Sequence, residues 1–120
     1  MKILLTESQF KILMEGHFVY FNLDNDEITL EVWDTGKRLD LESIVIPKHL
    51  RNMGYGTKTM KIVTDYADKF DRPIFLTPDT SFGGTSIKRL IEFYKRFGFE
   101  KNDDKSLSKH YLVRYPISNT

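Results

Sequence analysis

Ile44-Val45-Ile46-Pro47, followed by Arg51-Asn52-Met53-Gly54-Tyr55-Gly56-Thr57, runs from a β-prone apolar segment through a glycine turn into a helical pattern. A strand, a tight turn and a helix start make an anion site. The first amides of the helix lack intrahelical acceptors, the helix dipole is positive there, and glycine lets backbone approach phosphate oxygens. Three phosphate loops compete for such a stretch. The P-loop needs Lys directly after its last glycine, but Thr57 stands between Gly56 and Lys58. The dinucleotide fingerprint needs a third glycine, and Thr59 occupies that position. What remains is Arg-x-x-Gly-x-Gly, with Arg51, Gly54 and Gly56 as its fixed points.

Downstream of the loop, Met60, Val63, Ala67 and Phe70 recur at helical spacing, which predicts a helix from Thr57 to about Phe70. Pro73 to Thr77 is a short apolar strand of the kind covered on both faces. Ser86 caps a second helix that turns Ile87, Leu90, Ile91, Tyr94 and Phe97 inward, and Gly98 stops it. Phe99 to Lys101 and Tyr111 to Tyr115 form a last strand pair. Upstream, His17 to Leu23, Ile28 to Trp33 and Arg38 to Ile46 read as a three-strand antiparallel meander with Trp33 in the core. In the third strand Leu39, Leu41, Ser43 and Val45 share one face, and Asp40, Glu42, Ile44 and Ile46 the other. Before the meander, Thr6 to Gln9 is a capping box for a helix striped by Phe10, Leu13 and Met14, and Ile3 to Leu5 is a short strand. The fold class is therefore α/β with a mixed sheet: a meander, then β-α-β-α and a C-terminal strand pair.

The chain's 120 residues suit one domain spanning 1–120, with no linker or repeat to divide it. Aromatics make up 13% of the residues, ample core material that excludes a disordered chain. The net charge of +1 gives no support to a nucleic-acid partner, which usually meets a larger basic excess. Lys88, Arg89, Lys95 and Arg96 form one local basic patch, read as a solvated helix surface. Cysteine is absent, which removes disulfides, thiolate metal sites and an acyl-cysteine route. No apolar run is long enough to span a bilayer, and the start is too short in apolar residues for a signal peptide, so a cytoplasmic setting is expected. His17, His49 and His110 lack metal-ligand spacing and are assigned surface or structural roles; no metal is expected.

Two motifs in order, Arg51-x-x-Gly54-x-Gly56 and Tyr94-Lys95-Arg96-Phe97-Gly98-Phe99, resemble those of the GNAT superfamily of acyl-CoA N-acyltransferases. The resemblance covers roughly Leu39 to Tyr115. It implies a GNAT-like fold and an N-acetyltransferase that moves an acetyl group from acetyl-CoA to a primary amine by direct attack in a ternary complex. The acceptor would be a protein lysine or N-terminus, or a small amine. It also implies that the diphosphate of the co-substrate rests on the loop, at Arg51, Asn52, Met53, Gly54, Tyr55, Gly56 and Thr57. The pantetheine arm would run beside Ile44, Val45 and Ile46, with a backbone amide near Val45 or Ile46 stabilising the oxyanion. Tyr94 is the family-matched general acid.

An amine attacks only as the free base, so a proton acceptor is needed. By the family's register Asp40 stands where some members hold a catalytic carboxylate, with Glu42 the neighbouring choice. Two departures are visible. The Asn that family members often carry about two turns before the Tyr is replaced around Ser86-Ile87, and one helix precedes the meander where the family usually has two, which predicts an open acceptor side. The loop from Asp79 to Thr85 is expected to border the co-substrate or the acceptor. The alternative of another class is a catalytically silent GNAT-fold module that binds coenzyme A or a partner protein.

Overall fold

Alternating apolar and polar side chains make the first half of the described chain a meander, as the period-two pattern requires. The computed structural model describes residues 17–21, 23, 25–79, 86–106 and 108–117. The predicted N-terminal strand and helix, and the loop beyond Asp79 up to Thr85, lie outside these residues. Strands β1 (His17–Val19), β2 (Thr29–Asp34) and β3 (Leu39–Val45) pair antiparallel in sequence order. β1 is shorter than the span His17 to Leu23. At the turn between β2 and β3, Gly36 takes φ +89° and donates its amide to Asp34 Oδ1 at 2.7 Å.

A single 3-10 turn, Lys48–Leu50, leads from β3 to helix α1 (Tyr55–Lys69). The helix starts at Tyr55, two residues earlier than its apolar stripe predicts, because Gly54 at φ +82° is itself the N-cap. Met60, Val63 and Ala67 of the predicted stripe are fully buried. The chain then returns as β4 (Ile74–Leu76), parallel to β3 and buried throughout, as a strand covered on both faces should be. Helix α2 (Ile87–Lys95) follows, with Ser86 Oγ accepting from the Arg89 amide at 3.2 Å. Gly98 at φ +93° ends this stretch. The chain closes with β5 (Glu100–Lys101) and β6 (Leu112–Arg114), giving sheet order β1-β2-β3-β4-β6-β5.

Three details differ from the pattern. Between Glu31 and Val32 the β2–β3 register shifts: Glu31 faces Ser43, Val32 faces Leu41, and Glu42 has no opposite residue. That bulge interrupts the strict alternation expected along β3, so Ser43 and Val45 do not simply continue the face of Leu39 and Leu41; Ile44 packs against the core cluster that holds those two. Trp33 is half-buried rather than core, its ring edge-on to Phe18 at 4.7 Å. Ile87 is exposed at the start of α2, where it packs inward in the predicted stripe.

Two ionic clusters tie α1 to the sheet. Asp34, buried on β2, accepts from the Tyr66 hydroxyl at 2.7 Å and from Arg72 Nε at 3.2 Å. Burial, then the hydrogen bond to Asp34, raises the Tyr66 pKa, so the phenol stays a donor. Arg114 on β6 grips Asp68 with both guanidinium nitrogens, at 2.9 and 3.1 Å. Both partners of each contact are satisfied, which is what buried charge demands.

Candidate functional site

The sheet opens where β3 outruns β4. Parallel pairing covers only Leu39 with Ile74 and Asp40 with Phe75, and β4 ends at Leu76 while β3 continues to Val45. The β3 edge beyond Asp40 has no strand partner on that side among the described residues. An extended ligand can add there as a strand would, using backbone groups for affinity. The gap widens into a groove of about 400 Å³.

One wall of the groove is the stretch singled out in the sequence. Ile44, Val45, Ile46, Arg51, Asn52, Gly54, Tyr55, Gly56 and Thr57 all line it. Met53 of the expected set does not line it, and its side chain is exposed. No side chain caps the start of α1, so the amides of its first turn are available to a ligand. Asn52 at φ 63° and Gly54 at φ +82° give the loop its two left-handed steps. Arg51 Nε donates to the Ile46 carbonyl at 3.0 Å, buckling the loop onto the end of β3. A Cβ on Gly56 would stand 3.3 Å from Phe93 Cζ and 3.4 Å from Ile46 Cδ1, so the glycine lets these two side chains close on the helix start.

The opposite wall is α2, which contributes Arg89, Leu90, Phe93, Tyr94 and Arg96. A second, smaller notch lies deeper in the splay, lined by Glu42, Ser43, Ile44, Thr77, Asp79 and Tyr94 among others. Tyr94 lines both spaces and is 5% exposed. Burial pushes its pKa up to about 12, so the phenol keeps its proton throughout the neutral range.

The two candidate carboxylates part company. Asp40 is buried and held by Arg38, Nε to Oδ1 at 3.1 Å and Nη2 to Oδ2 at 3.4 Å. Glu42, the bulged residue, is exposed and lines the notch. His110 joins them: one donor atom from each of Asp40, Glu42 and His110 lies within 4.8 Å of the others. Thr77 Oγ1 lies 2.9 Å from His110 Nδ1 and accepts from the Tyr111 amide at 3.3 Å, which fixes the imidazole at the end of β4.

Arg89 and Arg96 in the groove and His110 beside Glu42 are the residues that linear reading did not assign, whereas Asp79 begins the loop expected to border the site. Arg89 and Arg96 belonged to a basic patch whose split between groove and solvent depends on how α2 is rotated. His110 reaches the carboxylates only through the β4–β6 pairing, which no local pattern encodes.

No family profile matches the chain, and no curated protein does either. Among solved structures, the anti-CRISPR protein AcrVA5 matches with a TM-score of 0.62 at 17% identity, over 82% of this chain and 96% of that one. A Bacteroides thetaiotaomicron protein assigned to the GNAT family as an acetyltransferase matches with a TM-score of 0.55 at 21% identity, over 87% of this chain and 64% of that one. Likeness at this identity is likeness of fold.

Proposed function

From its GNAT-like fold we propose that the protein is an N-acetyltransferase that uses acetyl-CoA and a primary amine in one ternary complex. The observation that carries this reading is the continuity of three features in one groove. An uncapped glycine-loop helix start lies at one end, an unpaired β3 edge runs along it, and Tyr94 stands where it meets the notch. The residues fit the co-substrate: amides and Arg51 suit a diphosphate, and the β3 edge suits an amide-bearing arm. A GNAT-family acetyltransferase among the structural neighbours points the same way.

Acetyl-CoA supplies an acyl group activated as a thioester. The amine reaches it through the notch, and its nitrogen forms the new C–N bond as the C–S bond breaks. Glu42 takes the amine's proton, directly or through water, because Asp40 is already engaged by Arg38. A backbone amide near Val45 donates to the oxygen that gains charge. Tyr94 returns a proton to the departing sulfur, which its raised pKa leaves it able to do at neutral pH.

Folded protein incubated with radiolabelled acetyl-CoA and a panel comprising lysine peptides, N-terminal peptides and small amines should label at least one acceptor. Binding of acetyl-CoA without labelling of any acceptor, in the panel or in whole lysate, would replace this reading with that of a silent coenzyme A-binding module.

A further inference from the structure

The α2 wall carries charge that the loop wall does not need. Arg89, Phe93 and Arg96 stand at i, i+4 and i+7, one stripe of a helix, and all three line the groove. Phe93 packs where the Gly56 side chain would be, which brings this stripe against the phosphate loop. The Arg96 guanidinium lies over the Phe93 ring at 5.2 Å, which ties the two groove-lining side chains together. Neither arginine is held in an ion pair among the described residues. Among the described residues Asp79 is the one carboxylate lining the groove, with Arg51, Arg89 and Arg96 also lining it. Lys88 and Lys95, the other half of the basic patch, are exposed and outside the groove.

We propose that Arg89 and Arg96 form a second anion subsite, facing the phosphate loop, that takes the 3′-phosphate of coenzyme A. The protein thereby distinguishes the complete carrier from its dephospho form. This rests on the acyl-CoA reading above. Seven residues of helix separate the two arginines by about 10 Å along the axis, more than a single diphosphate on the α1 amides occupies. A ligand with a second, separate phosphate uses that spread of charge; one with a diphosphate alone does not. Arginine suits the task because its planar fork meets phosphate oxygens through paired hydrogen bonds.

The test is calorimetric titration with acetyl-CoA and with acetyl-dephospho-CoA. Wild type should bind the first about tenfold more tightly, a difference of about 1.4 kcal/mol. In the double variant Arg89→Gln/Arg96→Gln that ratio should collapse to about one, mostly through weaker binding of acetyl-CoA. The double variant Lys88→Gln/Lys95→Gln removes the same charge from outside the groove and should keep the wild-type ratio. A wild-type ratio of one, a ratio preserved in the arginine variant, or an equal collapse in the lysine variant overturns the subsite while leaving the acyl-CoA reading intact. Failure of wild type to bind either ligand overturns that reading itself and the subsite with it.

Discussion

The loop wall of the groove and the notch beside it are built in opposite ways. The loop wall comes from one continuous stretch, Ile44 to Thr57, and most of its residues line the groove. The notch is assembled from β3, the segment at the end of β4 and α2, which supply Glu42, Thr77 and Tyr94, with His110 close to Glu42. A site that works through backbone amides can be encoded locally, because the turn itself sets where the donors point. A site that moves protons needs side chains from distant elements brought within a few ångströms, and only the closed sheet does that. Substitutions in the two regions should therefore fail differently: the first in binding, the second in rate.

The largest effect belongs to Gly56→Glu. Its side chain enters the groove against Phe93 and Ile46 and carries like charge toward a diphosphate. Ligand at a hundredfold excess over its Kd stabilises a protein by about 2.7 kcal/mol. Acetyl-CoA should thus raise the melting temperature of wild type by several degrees and leave that of Gly56→Glu unmoved. Next comes Tyr94→Phe, which keeps the ring packing and removes the proton. Turnover should fall by about a hundredfold or more, the usual scale of general acid catalysis, while melting temperature and acetyl-CoA affinity stay at wild-type values. Equal turnover would leave Tyr94 only a packing role.

A smaller contrast separates the carboxylates. Glu42→Gln should slow transfer roughly tenfold or more at neutral pH without loss of stability. Asp40→Asn should instead cost about 1 kcal/mol of stability, through the weakened Arg38 contact, with the lesser effect on rate. Kinetics and thermal melts on the two variants side by side would reverse the assignment if Asp40→Asn were the slower enzyme.

A last effect lies far from the groove and leaves activity untouched. Burial alone would raise the Asp68 pKa, but hydrogen bonds from Arg114 and the Ile117 amide, with the charge of Arg114, outweigh it and hold the carboxyl below its ordinary range. A group whose folded pKa is depressed stabilises fully above its unfolded pKa, about 4, and loses that contribution as pH falls through the folded value. Asp68→Asn should therefore be less stable than wild type near neutrality by about 1–2 kcal/mol, the scale of a charged hydrogen bond. The gap should close in strong acid. Urea melts across pH would show the opposite if the gap stayed constant.

Much of this architecture was legible along the chain. The meander, the parallel return through α1 and β4, and the Ser86 cap all follow from short-range pattern, and each is present in the fold. The bulge at Glu42 was not, because it arises from the shift between β2 and β3 and leaves no local mark in the β3 alternation. It leaves an exposed carboxylate lining the notch. Likewise Arg89 and Arg96 were visible as charge and invisible as groove lining, since the rotation of α2 is set by Phe93 and Tyr94 packing. The loop was readable for the converse reason: Gly54 adopts a backbone that other residues resist, and Gly56 leaves space that others would fill.

The most direct measurement is a calorimetric titration of acetyl-CoA, and separately of coenzyme A, into pure folded protein. Saturable binding of one equivalent of each per chain is expected, with heat lost in Gly56→Glu. Absence of binding by both ligands to protein shown to be folded would contradict the acetyl-CoA reading.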